Sequence, residues 1–251
     1  FLDNDTEVDP DWLRNLVEVV ESDRSIAAAQ SKLLDMDNRK AIQALGVFII
    51  PYVGWGVAKG RGQSSCDAIE DICAFTIAKL VKREALNKVL FDPELGVSTE
   101  DLDFSWRVWL SGYREVTAPK STVFHILKSP TLRRSMLVTE TSFSFHLTKN
   151  SLRMILKNYE FKNVVKYLPH ALIIILARSL LTLVKRNNPY VLIGSMKGLI
   201  WNIVRLPSTL KERLRVQLCR QVSDEHILEK IMVKGSPLSI YRKYFSQTGL
   251  L

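Results

Sequence analysis

Residues 1–17 read FLDNDTEVDPDWLRNLV, and the reading of this stretch decides the fold. Two apolar residues, Phe1 and Leu2, run like a strand into Asp3, Asp5, Glu7 and Asp9, with no Lys or Arg before Arg14. Carboxylates crowded together resist ionising unless a cation sits among them, so a divalent metal is the candidate partner. From Asp9 the pattern turns helical over 10–22: Asp9 takes the N-cap position, Pro10 the first helical position, and Trp12, Leu13, Leu16, Val17 and Val20 recur at helical spacing. Capping accounts for Asp9 and the first turn for Asp11, which leaves Asp3 and Asp5 without a structural task. An EF-hand loop also opens Asp-x-Asp, but it needs Gly and Glu where this chain has Val8 and Arg14, and that calcium site is excluded.

Working outward, strand-like and helical stretches alternate up to about residue 128. SIAAAQSKLL (25–34) contains a short strand, ALGVFIIPYV (44–53) is a second apolar stretch, 72–81 is a third, and 83–90 is a short helix. The Gly-rich GWGVAKGRGQSS (54–65) lacks apolar anchors and fits no phosphate-binding fingerprint, so it reads as a mobile loop. TEDLDFSWRVWLS (99–111) reads as a helix with Thr99 as N-cap and Gly112 as its stop. The alternating segment that follows, 114–124, is a strand ending on His125. Interleaved strands and helices imply an α/β layer domain.

A second acidic cluster, Glu100-Asp101-Leu102-Asp103, opens the 99–111 helix. The backbone dipole favours one or two acids there. Together with Asp3, Asp5 and a strand-end imidazole at His125, these acids suit transfer from a phosphate-bearing donor: a cation neutralises the diphosphate and another carboxylate deprotonates the attacking hydroxyl.

FLDNDTEVDPDWLRNLV, KREALNKVLFDPEL and STEDLDFSWRVWLSGYREVTAPKSTVFH, in this order and spacing, resemble the family-2 glycosyltransferases of GT-A fold, closest to the rhamnosyl- and galactofuranosyl-transferase-like branch. The family's Asp-x-Asp falls on Asp3-Asn4-Asp5, its Glu-Asp on Glu100-Asp101 and its trailing histidine on His125. The resemblance implies an inverting transfer from a nucleotide-sugar donor to a hydroxyl of a cell-surface glycan or lipid-linked acceptor. Asp3, Asp5 and His125 would hold Mg²⁺ or Mn²⁺, Asp101 with Glu100 would supply the base, and Asp103, Trp106 and Arg107 would face the substrate. Where many members carry a Gly-Ala-type segment, this chain has Ala74-Phe75-Thr76-Ile77-Ala78, whose bulk is expected to narrow the sugar pocket. The family's nucleotide-binding βα units would precede Phe1, so residues 1–145 read as the C-terminal part of a GT-A (Rossmann-like) domain, with little activity expected of it alone.

Charge divides the chain. Residues 1–150 carry 18 Lys and Arg against 21 Asp and Glu (net −3), and residues 151–251 carry 17 against 5 (net +12). The region 146–251 reads as helical. Its apolar stretches, 167–184 and 190–204, are interrupted by Pro169, His170, Arg178 and Lys197 and separated by Asn187-Asn188-Pro189. Neither is a clean span. Apolar helices with snorkelling Lys and Arg fit a hairpin on an anionic membrane face, and the cytoplasmic face of the cell membrane is the expected location. Cys66, Cys73 and Cys219 form neither a disulfide framework nor a metal-ligand spacing, in keeping with a reducing cytosolic setting. Basic residues set between apolar stretches argue against a nucleic-acid partner. A non-catalytic membrane- or partner-docking module, with the acids serving only as caps, is the alternative reading.

Overall fold

The computed structural model describes residues 1–61, 67–73, 77–126, 140–235, 239–240 and 242. Cys66, the end of the Gly-rich stretch and Ala74-Phe75-Thr76 lie outside the described residues. Among those described, the strands are β1 (Thr6–Val8), β2 (Ile26–Asp35), β3 (Ile42–Ala44), β4 (Val47–Ile50), β5 (Trp55–Ala58), β6 (Lys79–Val81) and β7 (Arg114–His125). The helices are α1 (Trp12–Glu21), α2 (Arg83–Leu86), α3 (Glu100–Leu110), α4 (Glu140–Asn158), α5 (Phe161–Arg186), α6 (Tyr190–Val204), α7 (Leu206–Leu218) and α8 (Asp224–Ile231).

β2 is the middle of the main sheet. β7 runs parallel to it on one side, while β6 and β3 pair antiparallel with its two halves on the other. β1 folds back antiparallel on β7, bringing Thr6 opposite His125. The Phe1–Asp3 stretch adds beyond β6: Leu2 bridges Ala78, and Phe1 N donates to Lys79 O at 2.9 Å. Phe1–Asp3 therefore runs parallel to β2 and β7, and the acidic residues follow directly from a strand tip. A fully buried ion pair, Lys79 to Glu115 at 3.3 Å, ties β6 to β7 across β2.

Small residues explain why β2 can be central: Ala27, Ala28 and Ala29 are fully buried and let helices approach both faces. On one face Leu16 and Val20 of α1 pack on Ile26, Ala29, Val116 and Ala118. On the other, Phe104 and Val108 of α3 pack on Ala27, Ala85 and Val89. The far side of α3, through Leu102, Trp106, Trp109 and Leu110, enters a larger apolar cluster shared with β4, α4, α5 and α8. α3 is thus held between the sheet and the C-terminal helices, and that fixes the acids at its N-terminus.

Several elements differ from expectation. α1 starts at Trp12, with Asp11 at the N-cap and Pro10 outside the helix. The reason is a tight turn in which Trp12 N donates to Asp9 O (3.0 Å) and Asp11 N to Asp9 Oδ1 (3.0 Å). β2 is ten residues long rather than short. The first half of the Gly-rich stretch is ordered strand: β5 pairs with β4, and Gly54 (φ +67) closes the turn between them. A Cβ on Gly56 would stand 2.5 Å from Val47 Cγ1, so glycine there permits close packing. Pro169 sits inside α5 without ending it.

Asn187, in the left-handed conformation, turns α5 into α6, and the hairpin packs on α4 through glycines. A Cβ on Gly194 would meet Thr141 O at 2.2 Å, and one on Gly198 would meet Lys149 N at 3.0 Å. The outer side of α5, α6 and α7 is apolar and open: Ile173 is 66% exposed, Val184 80%, Ile203 73% and Leu214 68%. α5 is long and apolar enough to cross a membrane, by length and composition.

Candidate active site

α3 descends from Glu100 to Leu110, the chain turns at Gly112 (φ +80), and β7 climbs back from Arg114. Eleven helical residues span about 16 Å, so the N-terminus of α3 stands about that far above the start of β7. Ile26 pairs with Arg114 at that lower level, and Ser31, about 16 Å further along β2, donates its N–H to Ala78 O, the residue opposite Leu2. Asp3, at the end of a segment parallel to β2 and β7, and Glu100, at the start of a helix that runs back against β7, are thus both on the side toward which the parallel strands run, where ligands bind in open α/β sheets. Aromatic rings join the two elements: Phe1 meets Phe91 edge-on at 5.8 Å, and Phe91 stacks on Phe104 of α3 at 4.5 Å.

At the strand tips, His125 Nε2 is 3.7 Å from Asp5 Oδ2, and both side chains are mostly buried. Partial desolvation, reinforced by the Asp5 charge, raises the Asp3 carboxyl above its ordinary pKa. Gln43 of β3 fixes the imidazole. Its Nε2 donates to His125 O at 2.8 Å, so its Oε1, 2.8 Å from His125 Nδ1, must accept. Nδ1 then carries a proton, and in the neutral ring the lone pair falls on Nε2, on the side of Asp5. Two carboxylates and an imidazole lone pair are a donor set suited to Mg²⁺ or Mn²⁺. Among the described residues, no three His, Cys, Asp or Glu side chains are already gathered at ligand distance, so the three would have to draw together around an ion.

At the head of α3, Ser98 (φ +71) and Thr99 (φ +66) are both left-handed, an unfavourable conformation for residues with a Cβ. Thr99 occupies the expected N-cap position, but its side chain caps nothing, and its buried Oγ1 has no hydrogen-bond partner among the described residues. Glu100 Oε2 is likewise buried without a hydrogen-bond partner. Burial, with the neighbouring Asp101 charge, pushes the Glu100 carboxyl up to about 7.

The other three expected site residues lie deeper. Asp103 is fully buried, its carboxylate held by Arg107 Nη2 (2.6 Å), Lys157 Nζ (2.8 Å) and Asn158 Nδ2 (2.8 Å). Burial works to raise its pKa, but Arg107 and then Lys157 hold it far below the carboxylate range. Trp106 is fully buried and stacks on Tyr159 at 4.6 Å. Arg107 donates to Leu90 O at 2.6 Å and lines a cleft of about 470 Å³ with Arg153, Lys157 and Arg215. That cleft opens at the other end of α3 and includes none of Asp3, Asp5, Glu100, Asp101 or His125. Expected on the substrate side, Asp103 and Trp106 present no surface to a substrate here, because α3 is covered by α4.

Residues that the sequence did not single out hold the site in place. Gln43 is one, a lone amide in a short apolar strand, with nothing in the pattern to mark it. The others are on α4: Lys149 Nζ donates to Glu94 O (2.7 Å) and Leu95 O (3.0 Å), Asn150 Nδ2 to Val97 O (2.9 Å) and to Ser98 O, and Arg153 Nε to Asp92 Oδ2 (2.9 Å).

A mixed α/β layer with acids at its strand tips and at a facing helix N-terminus fits the build of a GT-A-like glycosyltransferase. Residues 1–201 match the model of the glycosyl transferase family group 2, and the chain belongs to that family. A comparison with curated proteins returns no match.

Proposed function

We propose that the chain carries the catalytic edge of an inverting, metal-dependent glycosyltransferase acting on a nucleotide-diphosphate sugar. The reading is supported by the contact between His125 and Asp5 and by the ring contacts Phe1–Phe91–Phe104, which link the segment of Asp3 and Asp5 to the helix that carries Glu100 and Asp101. Asp3, Asp5 and His125 Nε2 would hold Mg²⁺ or Mn²⁺. When bound, the ion offsets the negative charge of the diphosphate leaving group. Asp101 takes the proton of the acceptor hydroxyl as its oxygen bonds to the anomeric carbon, and the bond from that carbon to the diphosphate breaks with its electron pair on the nucleotide. Glu100, with a pKa near neutrality, is only partly ionised at physiological pH, which eases the crowding of charge beside Asp101.

The open apolar side of α5, α6 and α7, in a region of net +12, supports contact with an anionic membrane, by preference the cytoplasmic face. A lipid-linked or cell-surface glycan acceptor follows from that placement. The test is release of nucleoside diphosphate from UDP-, GDP- and dTDP-sugars with Mn²⁺ present. Asp5→Ala and Asp101→Asn each abolish release while thermal unfolding stays as in the wild type. Full release by both variants would refute the roles given to Asp5 and Asp101, and no release by the wild type would leave the chain as a membrane-docking module whose acids only cap.

A further inference from the structure

The segment that delivers Glu100 and Asp101 is gripped from one side by a single helix. Lys149, Asn150, Arg153 and Lys157 lie along one face of α4 and bind Glu94 and Leu95, Val97 and Ser98, Asp92, and Asp92 with Asp103, respectively. Asn150 is the member at the critical place. It is fully buried, and both of its bonds go to carbonyls of the turn whose next residues, Ser98 and Thr99, hold unfavourable left-handed backbone. Neither residue is glycine, and among the described residues Thr99 supplies no capping bond to favour that conformation. Such strain persists only where surrounding contacts over-determine it.

We propose that Asn150 is the positioning residue of the Glu100–Asp101 pair, clamping the 97–99 turn so that both carboxyls face the strand-tip acids. The inference rests on the transferase reading given above. Asn150 touches no reacting atom and acts through the backbone alone. The clamp is also linked to the apolar hairpin: Asn202 of α6 donates to Lys149 O at 3.1 Å, next to Asn150, and the Trp201 ring lies 5.1 Å from Lys149 Nζ. How α6 seats on α4 thus bears on how firmly the turn is held.

The test compares the intact protein with Asn150→Ala and with Asn150→Asp, which keeps the shape of Asn but lacks the N–H donors. Hydrogen exchange read by mass spectrometry should accelerate roughly tenfold or more at amides 97–101 in both variants, well beyond any change at β2 and β7, whose amides report global opening. For whichever UDP- or GDP-sugar the wild type turns over, kcat should fall by a similar factor and KM stay within about twofold. Adding Ser98→Gly and Thr99→Gly, which accept positive φ without a clamp, should restore part of kcat. Unchanged exchange at 97–101 overturns the inference, as does faster exchange with unchanged kcat, or a loss of kcat that tracks global unfolding and resists glycine rescue. If the wild type releases no nucleoside diphosphate at all, it is the transferase reading that has failed. The exchange result then still decides whether Asn150 holds the turn.

Discussion

Replacing Glu100 by Gln should make the protein more stable in mild alkali and leave it unchanged in mild acid. The Glu100 carboxyl titrates at about 7 when folded against an ordinary 4.5, chiefly because burial disfavours its charge. A folded-state pKa above the unfolded one means that the folded chain holds the proton more tightly. Stability from this group is therefore complete below pH 4.5, drains away as pH rises toward 7, and stays lost above it. The full shift corresponds to about 3.4 kcal/mol at 1.36 kcal/mol per unit. The side chain keeps partial access to solvent, which screens the charge and reduces the figure to about 1–2 kcal/mol. Glu100→Gln carries no charge at any pH and escapes this loss. Urea denaturation of both proteins at pH 5, 6, 7 and 8 should show curves that coincide at pH 5 and separate by about 1–2 kcal/mol at pH 8, with the variant the more stable. Transfer by the same variant should slow by about a hundredfold or more. A stability gap independent of pH, or a wild type more stable than the variant at pH 8, refutes the assignment of a strained, buried carboxyl to this position.

Three other outcomes follow from the geometry. Gln43→Leu frees the His125 ring and should weaken Mn²⁺ binding by about 10–100-fold in calorimetric titration, with unfolding little changed; equal affinity would show that the amide does not orient the imidazole. Asp103→Ala leaves the Arg107 charge without its carboxylate and Lys157 with Asp92 alone, and should cost about 3–5 kcal/mol in denaturant unfolding, whereas a loss below about 1 kcal/mol would contradict its role as a counter-charge. Ile200→Asp with Leu214→Asp, at positions 56% and 68% exposed, should leave folding intact and release the protein from phosphatidylglycerol vesicles in flotation assays; retained binding would place the membrane contact elsewhere.

α3 and β7 were legible because their signals are local. Acids in a first turn, a glycine just past the last turn and a strand-like pattern afterwards need no knowledge of distant residues. The bounds of α6 were legible for the same reason, from the Asn187-Asn188-Pro189 break. Gly54 and Gly56 misled, because a glycine that closes a hairpin or admits Val47 looks in sequence like one that loosens a loop. The tight turn at Asp9 hid the true start of α1, since the carboxylate that reads as a cap binds the residue two further on. Asp103 and Trp106 carried the right residue types beside the right motif. What buries them is the return of Lys157, Asn158 and Tyr159, more than fifty positions later, and no pattern within α3 announces it. Gln43 and Asn150 each act through the paired contacts of one side-chain amide, made across the sheet and across the helical layer. Such contacts are visible only once the chain has folded.

The central claim is that the acids near Phe1 and the acids of α3 serve one site. Crystals of the protein grown with Mn²⁺ and UDP, measured at the manganese absorption edge, test it most directly. The account predicts an anomalous peak bounded by Asp3, Asp5 and His125 Nε2, with the diphosphate lying between that peak and the head of α3. Manganese bound elsewhere, or a diphosphate seated in the cleft beside Arg107 and Arg215, would contradict it.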